Sequence, residues 1–106
     1  MLVITFNVNG IRARIHQLET LIQKYNPDVL CLQEIKVSDE DFPYEDIENL
    51  GYKIFNYGQK GFHGVAILSK VEPVSVKKGL DGGLDEEQKR YIQCDFNSKI
   101  GVISIC

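Results

Sequence analysis

The chain opens on an apolar run, MLVITF at 1–6, and turns polar at Asn7 and Asn9. The run predicts a β-strand, and Asn9-Gly10 behind it is a turn signal. From Ile11 the apolar period changes. Ile15, Leu18, Leu21, Ile22 and Tyr25 recur at spacings of three and four. That is one stripe of an amphipathic helix, with Arg14, Glu19, Gln23 and Lys24 on its other side. Asn26-Pro27 ends the helix, because proline disfavours helical geometry at the residue before it. A second apolar strand, DVLCLQ at 28–33, stops in Glu34, with Lys36 close behind.

Strand, helix and strand with short joints predict a βαβ unit whose two strands are parallel neighbours. Asn7 and Glu34 then share the C-terminal edge of the sheet, where open α/β sheets build their sites. The acid at the tip of a buried strand follows from this: the site lies beyond the strand.

The pattern next predicts a loop over 37–42 and a short helix over 44–50, capped by Gly51. Strands follow at 52–57 and 65–69, joined by GQKGFHG with glycines at 58, 61 and 64. A further strand is expected at 73–78. LDGGLDEEQK at 80–89 reads as a loop with one helical turn. Residues 90–96 and 101–106 read as a hairpin turning at Asn97-Ser98. Strand after strand from residue 52 predicts an α/β chain of the mixed α+β kind, a mixed sheet with helices on one face, rather than a doubly wound one. Residues 29–32 are apolar on both faces of their strand, so both faces call for cover. Two helices cover one face. The other is expected to lie bare, as a large exposed apolar patch.

Composition constrains the class. With 43% apolar and 25% charged residues, the 106-residue chain suits one globular domain or part of a larger one. No stretch approaches the roughly 20 apolar residues that span a bilayer, so no membrane partner is expected. The N-terminus runs straight into a strand with no basic leader, which points to the cytoplasm. Cys31, Cys94 and Cys106 are widely spaced within apolar runs, the placement of buried reduced thiols. The apolar stretch IGVISIC runs to Cys106 with no turn or cap. A bare strand edge invites aggregation, so part of a larger fold is expected.

The net charge of -3 argues mildly against a nucleic-acid partner. The acids, however, concentrate in VSDEDFPYEDIEN, whereas Arg12, Arg14, Lys36 and Lys60 lie near strand ends and Gly-rich turns. A local cationic patch is compatible with that distribution.

Each candidate residue has a plain alternative. Glu34 is either a solvated acid beside Lys36 or a Mg2+ ligand, since magnesium keeps several waters and is often held by one or two carboxylates. Asn9 is either a turn residue or part of a site. Asn7 offers both donor and acceptor, and suits a metal, a phosphate oxygen or an attacking water. QKGFHGVA is either an open turn or a grip on a phosphate backbone through bare glycine amides and Lys60, with Phe62 or His63 wedged alongside. Arg12 and Arg14 open the first helix, where the dipole disfavours cations, and so hint at an anionic partner. His16 reads as solvated.

Taken together, FNVNGIRAR, PDVLCLQEIK and FPYEDIENLGYKIFNYGQKGFHGVAILSK resemble the N-terminal part of the bacterial exodeoxyribonuclease III family. These belong to the exonuclease III class of apurinic/apyrimidinic endonucleases. The resemblance runs over the whole chain with its motifs in order. It implies a four-layer α/β sandwich of two mixed sheets with helices outside. It implies hydrolysis of phosphodiesters at abasic sites in double-stranded DNA and removal of nucleotides from 3′ ends, with Mg2+ or Mn2+. Glu34 matches the metal-binding glutamate and Asn7 the active-site asparagine, in the metal and phosphate environment. Asn9 stands where some relatives carry an aspartate, and its amide would ligate more weakly. Arg12 matches a DNA-backbone contact, and Gly61 and Phe62 match a DNA-gripping loop. Arg14, Lys36 and Lys60 fall on the same candidate surface.

The family's catalytic tyrosine, Asp-x-Asn motif, base-orienting Asp and Asp-His pair have no counterpart in residues 1–106. The resemblance therefore implies the N-terminal part of one domain, belonging to an enzyme that is monomeric at full length. By itself the chain is expected to be inert, or to be half of a split protein. A related metal phosphodiesterase acting on lipids or inositol phosphates is the alternative. GQKGFHGVAILSK and Arg12 favour DNA over it.

Overall fold

The computed structural model describes residues 1–79, 91–98 and 101–105. Two sheets face each other. The first has the order β1 (Val3–Asn7), β2 (Val29–Gln33), β4 (Val65–Ser69), β3 (Lys53–Tyr57). Strands β1 and β2 run parallel, with Asn7 paired to Gln33. Strand β4 is antiparallel to both β2 and β3. The second sheet is antiparallel, in the order β5 (Ser75–Lys78), β6 (Ile92–Ser98), β7 (Gly101–Ile105).

The βαβ unit forms as expected, with one change at its start. Arg12–Arg14 make a separate 3-10 turn, and α1 proper spans Ile15–Tyr25. The two arginines thus precede the helix rather than occupy its first turn. The stripe buries Leu18 fully and packs Ile15, Leu21 and Ile22 against the sheet. Tyr25 departs from it: the ring is 52% exposed, with the Lys24 ammonium 5.3 Å from its centroid. Asn26 closes the helix in the left-handed conformation and donates its N–H to the Ile22 carbonyl at 2.8 Å. The short α2 (Tyr44–Glu48) is capped by Asn49 rather than by the expected Gly51, which closes the turn behind it with a positive φ of 93° that suits glycine.

Two cores flank the first sheet. On one side, Leu30 and Leu32 of β2 and Ala66 and Leu68 of β4 meet Leu18 of α1 and Ile47 of α2. On the other side the expected bare face does not exist. Val29, Cys31, Val65 and Ile67 are buried against Ile92, Cys94 and Phe96 of β6. The cause is legible in β6: apolar side chains alternate with Gln93 and Asp95, so one face of that strand is built to dock. The single mixed sheet expected from residue 52 onward is therefore two sheets. The hairpin turn also moves. Asn97 and Ser98 are not the turn but stay in β6, paired with Val102 and Gly101. The loop expected at 80–89 lies outside the described residues.

Cys31 and Cys94 are buried reduced thiols, as expected, and Cys106 lies outside the described residues. Burial raises the Cys94 thiol from its ordinary 9.0 to about 11, with the neighbouring Cys31 and Asp95 adding to the effect. An acid whose pKa is raised on folding binds its proton more tightly in the folded state. Its contribution is intact below pH 9 and is lost as pH climbs through about 11. Urea midpoints taken across that window are expected to fall. A Cys94→Ala variant should lose part of that slope.

Candidate active site at the shared strand edge

Beyond the ends of β1 and β2 the two chains stay laced together. Val8 N donates to Gln33 O at 3.0 Å, Gly10 N to Glu34 O at 2.8 Å, and Ile11 N to Ile35 O at 3.0 Å. Ile11 and Ile35 are both fully buried and pin the two exits into the core. Asn9 and Gly10 take positive φ of 45° and 94°, the turn for which Asn-Gly is suited. The expected rim is therefore real: Asn7 and Glu34 sit side by side on it.

The side chains on that rim form one polar chain. Asn7 Nδ2 donates to Glu34 Oε2. Asn7 Oδ1 accepts from the backbone N–H of Asn9 at 3.1 Å. Asn9 Oδ1 in turn accepts from Lys36 Nζ at 2.6 Å, and Lys36 Nζ lies 3.9 Å from Glu34 Oε1. The side chains of Glu34 and Lys36 are 42% and 35% exposed, so the site opens to solvent. Both residues hold positive φ, 53° and 59°. Non-glycine residues rarely adopt this conformation, and such strain collects at functional sites.

A third segment joins them. The Gly58–Gly64 loop between β3 and β4 returns along residues 35 and 36. Ile35 N donates to Gly64 O at 3.2 Å, Lys36 N to His63 O at 3.0 Å, and Gly61 N to Lys36 O at 3.1 Å. Gly64 is required here: its φ is 82°, and a Cβ would lie 2.7 Å from Ile35 Cγ1. The loop tip carries Lys60, Gly61 and Phe62 outward, with the Phe62 ring 67% exposed and 6.3 Å from the ring of His63. Asn7, Asn9, Glu34, Lys36, Lys60, Gly61 and Phe62 thus come from three segments that are bonded to one another.

Other candidates lie apart from this cluster. Arg12 is exposed and borders a hollow of about 420 Å³ that it shares with Glu40, Asp41 and Asp46. Arg14 is half-buried and leans on the Ala13 carbonyl at 3.4 Å. The His16 side chain is 99% exposed, as a solvated residue would be.

Sequence reasoning missed Asp39 and Asn56. Asn56 is buried, and its amide donates to Asp39 Oδ1 at 3.1 Å and to the Tyr44 hydroxyl at 2.9 Å. The available signal was a lone carboxamide within the apolar and aromatic run YKIFNY.

The site holds one carboxylate and two carboxamides. Among the described residues no three His, Cys, Asp or Glu side chains come together to hold a metal. This donor set does not suit zinc or a closed calcium cage. It does suit a hard cation that keeps most of its waters and accepts a single protein carboxylate.

A sequence profile described as the Endonuclease/Exonuclease/phosphatase family matches residues 4–105. The chain belongs to this family. Within it, the chain is 53% identical over 102 residues to an exodeoxyribonuclease III of Haemophilus influenzae. That match covers 96% of this chain and 38% of the Haemophilus protein, so the chain spans well under half the length of this relative. Its fold is similar to an AP endonuclease from Archaeoglobus fulgidus, with a TM-score of 0.83 and 41% identity over 91% of this chain and 37% of that one. It is also similar to a 3′ phosphatase from Neisseria bound to a product DNA hairpin. There the TM-score is 0.82, with 36% identity over 88% of this chain and 37% of that one. The relatives that this family member resembles are thus exonuclease III-type and AP endonuclease enzymes.

Proposed function

We propose that these residues form the N-terminal part of the active site of an exonuclease III-type DNA repair nuclease. The parent enzyme would cut DNA phosphodiesters at abasic sites and trim nucleotides from 3′ ends. The observation that carries this reading is the rim shared by Asn7 and Glu34, laced to a glycine loop with an exposed cation and an exposed aromatic ring. The DNA hairpin held by the Neisseria relative supports DNA as the substrate class.

In this reading Glu34 would hold one divalent cation, Mg2+ or Mn2+, with Asn7 and, more weakly, Asn9 beside it. When bound, such an ion supplies Lewis-acid polarisation of a phosphoryl oxygen. The chain's own groups do the rest of the work assigned to this half. Asn7 holds the Glu34 carboxylate in one orientation and stands as a fixed dipole beside the reacting phosphate. Lys36 fixes Asn9 and adds positive charge next to Glu34. Lys60 and the Gly61 region meet the backbone, a contact that positions the duplex without reading sequence. Phe62 would wedge against an unstacked or abasic nucleotide, a role that its exposure supports. Arg12 and Arg14 would serve as separate backbone contacts, since they lie apart from the rim and Arg12 shares its hollow with Glu40, Asp41 and Asp46. The reading also places the enzyme in the cytoplasm, acting as a monomer at full length.

The test uses the full-length gene product on two substrates, an abasic-site duplex and a phospholipid headgroup ester, each with Mg2+. Cleavage of the duplex is expected. Cleavage of the lipid without the duplex overturns the reading in favour of a related phosphodiesterase. For a Lys60→Ala variant, a plot of log affinity for duplex against log salt should become shallower by about one, as removal of one phosphate contact requires.

A further inference from the structure

We propose that Asp39 is a positioning residue that clamps the Lys60–Phe62 loop to the segment carrying Glu34 and Lys36. Its link to DNA rests on the preceding reading, but the clamp itself does not. Asp39 Oδ1 accepts from the backbone N–H of Gly58 at 2.7 Å and from Asn56 Nδ2 at 3.1 Å. Its carbonyl accepts from the Tyr44 hydroxyl at 2.7 Å, and that hydroxyl also takes the second contact from Asn56. One carboxylate oxygen thus joins the exit of β3 to the turn that follows Lys36, while its own backbone is tied to α2.

Gly58 shows how close the two chains run. A Cβ there would lie 2.4 Å from the Val37 carbonyl and 2.9 Å from Asp39 N. No other residue fits without moving one chain off the other. Gly58 is also the first residue of the loop whose far side is bonded to Ile35 and Lys36. The loop is therefore held at its far side by backbone bonds and at its entry by Asp39.

Without the Asp39 carboxylate the entry bond has no acceptor. Gly58 and Asn56 are both buried, so an N–H on each would be left unpaired. Buried donors without partners favour local opening. Opening at Gly58 would loosen Lys60 and Phe62 together, leaving them to the Gly61 and His63 backbone bonds on Lys36. Glu34 and Asn7, tied by their own ladder to β1 and β2, would stay in place.

The test compares wild type, Asp39→Ala and Asp39→Asn by amide hydrogen exchange, with no DNA present. Asp39→Ala should speed exchange at Gly58 and Gly61 by about tenfold or more relative to the amides of β2. Asp39→Asn keeps an acceptor oxygen of the same shape and should restore protection. Equal acceleration in loop and core, or none in the loop, overturns the clamp. A second arm reads affinity for an abasic duplex by fluorescence anisotropy. Asp39→Ala should weaken it by about tenfold, yet add less than about twofold in a Lys60→Ala, Phe62→Ala background, the signature of coupled residues. An undiminished effect in that background overturns the route through the loop. Failure of the wild type to bind duplex overturns the DNA reading instead, and the exchange arm still judges the clamp.

Discussion

Glu34→Gln in the full-length gene product is expected to lower kcat/KM on an abasic duplex by roughly 10²–10³-fold, about 2.7–4 kcal/mol of barrier. The substitution keeps the shape of the side chain and an oxygen that can accept from Asn7 Nδ2. It removes the only carboxylate in the Asn7–Asn9–Glu34–Lys36 cluster, and with it the negative charge that a hard cation needs. Half-exposed, the side chain contributes little to folding, and the change in stability should stay within about 0.5 kcal/mol. The control for the cluster is Asn9→Asp. It places a second carboxylate beside Lys36 Nζ and should tighten Mn2+ binding, read by titration of the ion's paramagnetic signal. Duplex cleavage that survives Glu34→Gln unchanged would remove Glu34 from the site.

The second large effect lies in the core that the sheets share. Phe96→Ala is expected to destabilise the chain by about 3–5 kcal/mol, the usual range for deleting a buried aromatic ring. Phe96 is 1% exposed and packs within the cluster of Val29, Cys31, Val65 and Ile67. That ring is the largest of the β6 side chains docked on the first sheet, so its loss leaves a cavity between sheets rather than on the surface. Chemical denaturation measures the change. Binding of a hydrophobic dye at low denaturant should rise as the face of β2 and β4 becomes accessible. A loss below about 1 kcal/mol would mean that the second sheet hardly contributes to covering that face.

These two experiments probe the tip and one face of the same strand. β2 is apolar along its length because it is covered twice, by helices through Leu30 and Leu32 and by β6 through Val29 and Cys31. Its end is polar because, among the described residues, the rim stays open to solvent. A rigid, doubly packed strand holds an acid at fixed orientation, which is what an exposed carboxylate needs in order to bind an ion repeatedly at one point.

Much of this was written in local pattern. The alternation of strand and stripe along residues 1–33 determined the βαβ unit, since a 3.6-residue period between two apolar runs has few ways to fold. Asn26-Pro27 determined where α1 ends, and the Asn9-Gly10 pair determined a turn. Short connections with a parallel register then put Asn7 and Glu34 on one rim. What local pattern left open was every question of which distant segments meet. Residues 90–96 read equally well as another strand of the first sheet or as a strand of a second one, because period-two alternation marks a buried face without naming its partner. Only tertiary packing set β6 against β2 and β4. The same limit hid Asp39. An aspartate in an acidic, solvent-facing run carries no local sign of its role, and its function arises only where the exit of β3 passes within touching distance of the turn after Lys36.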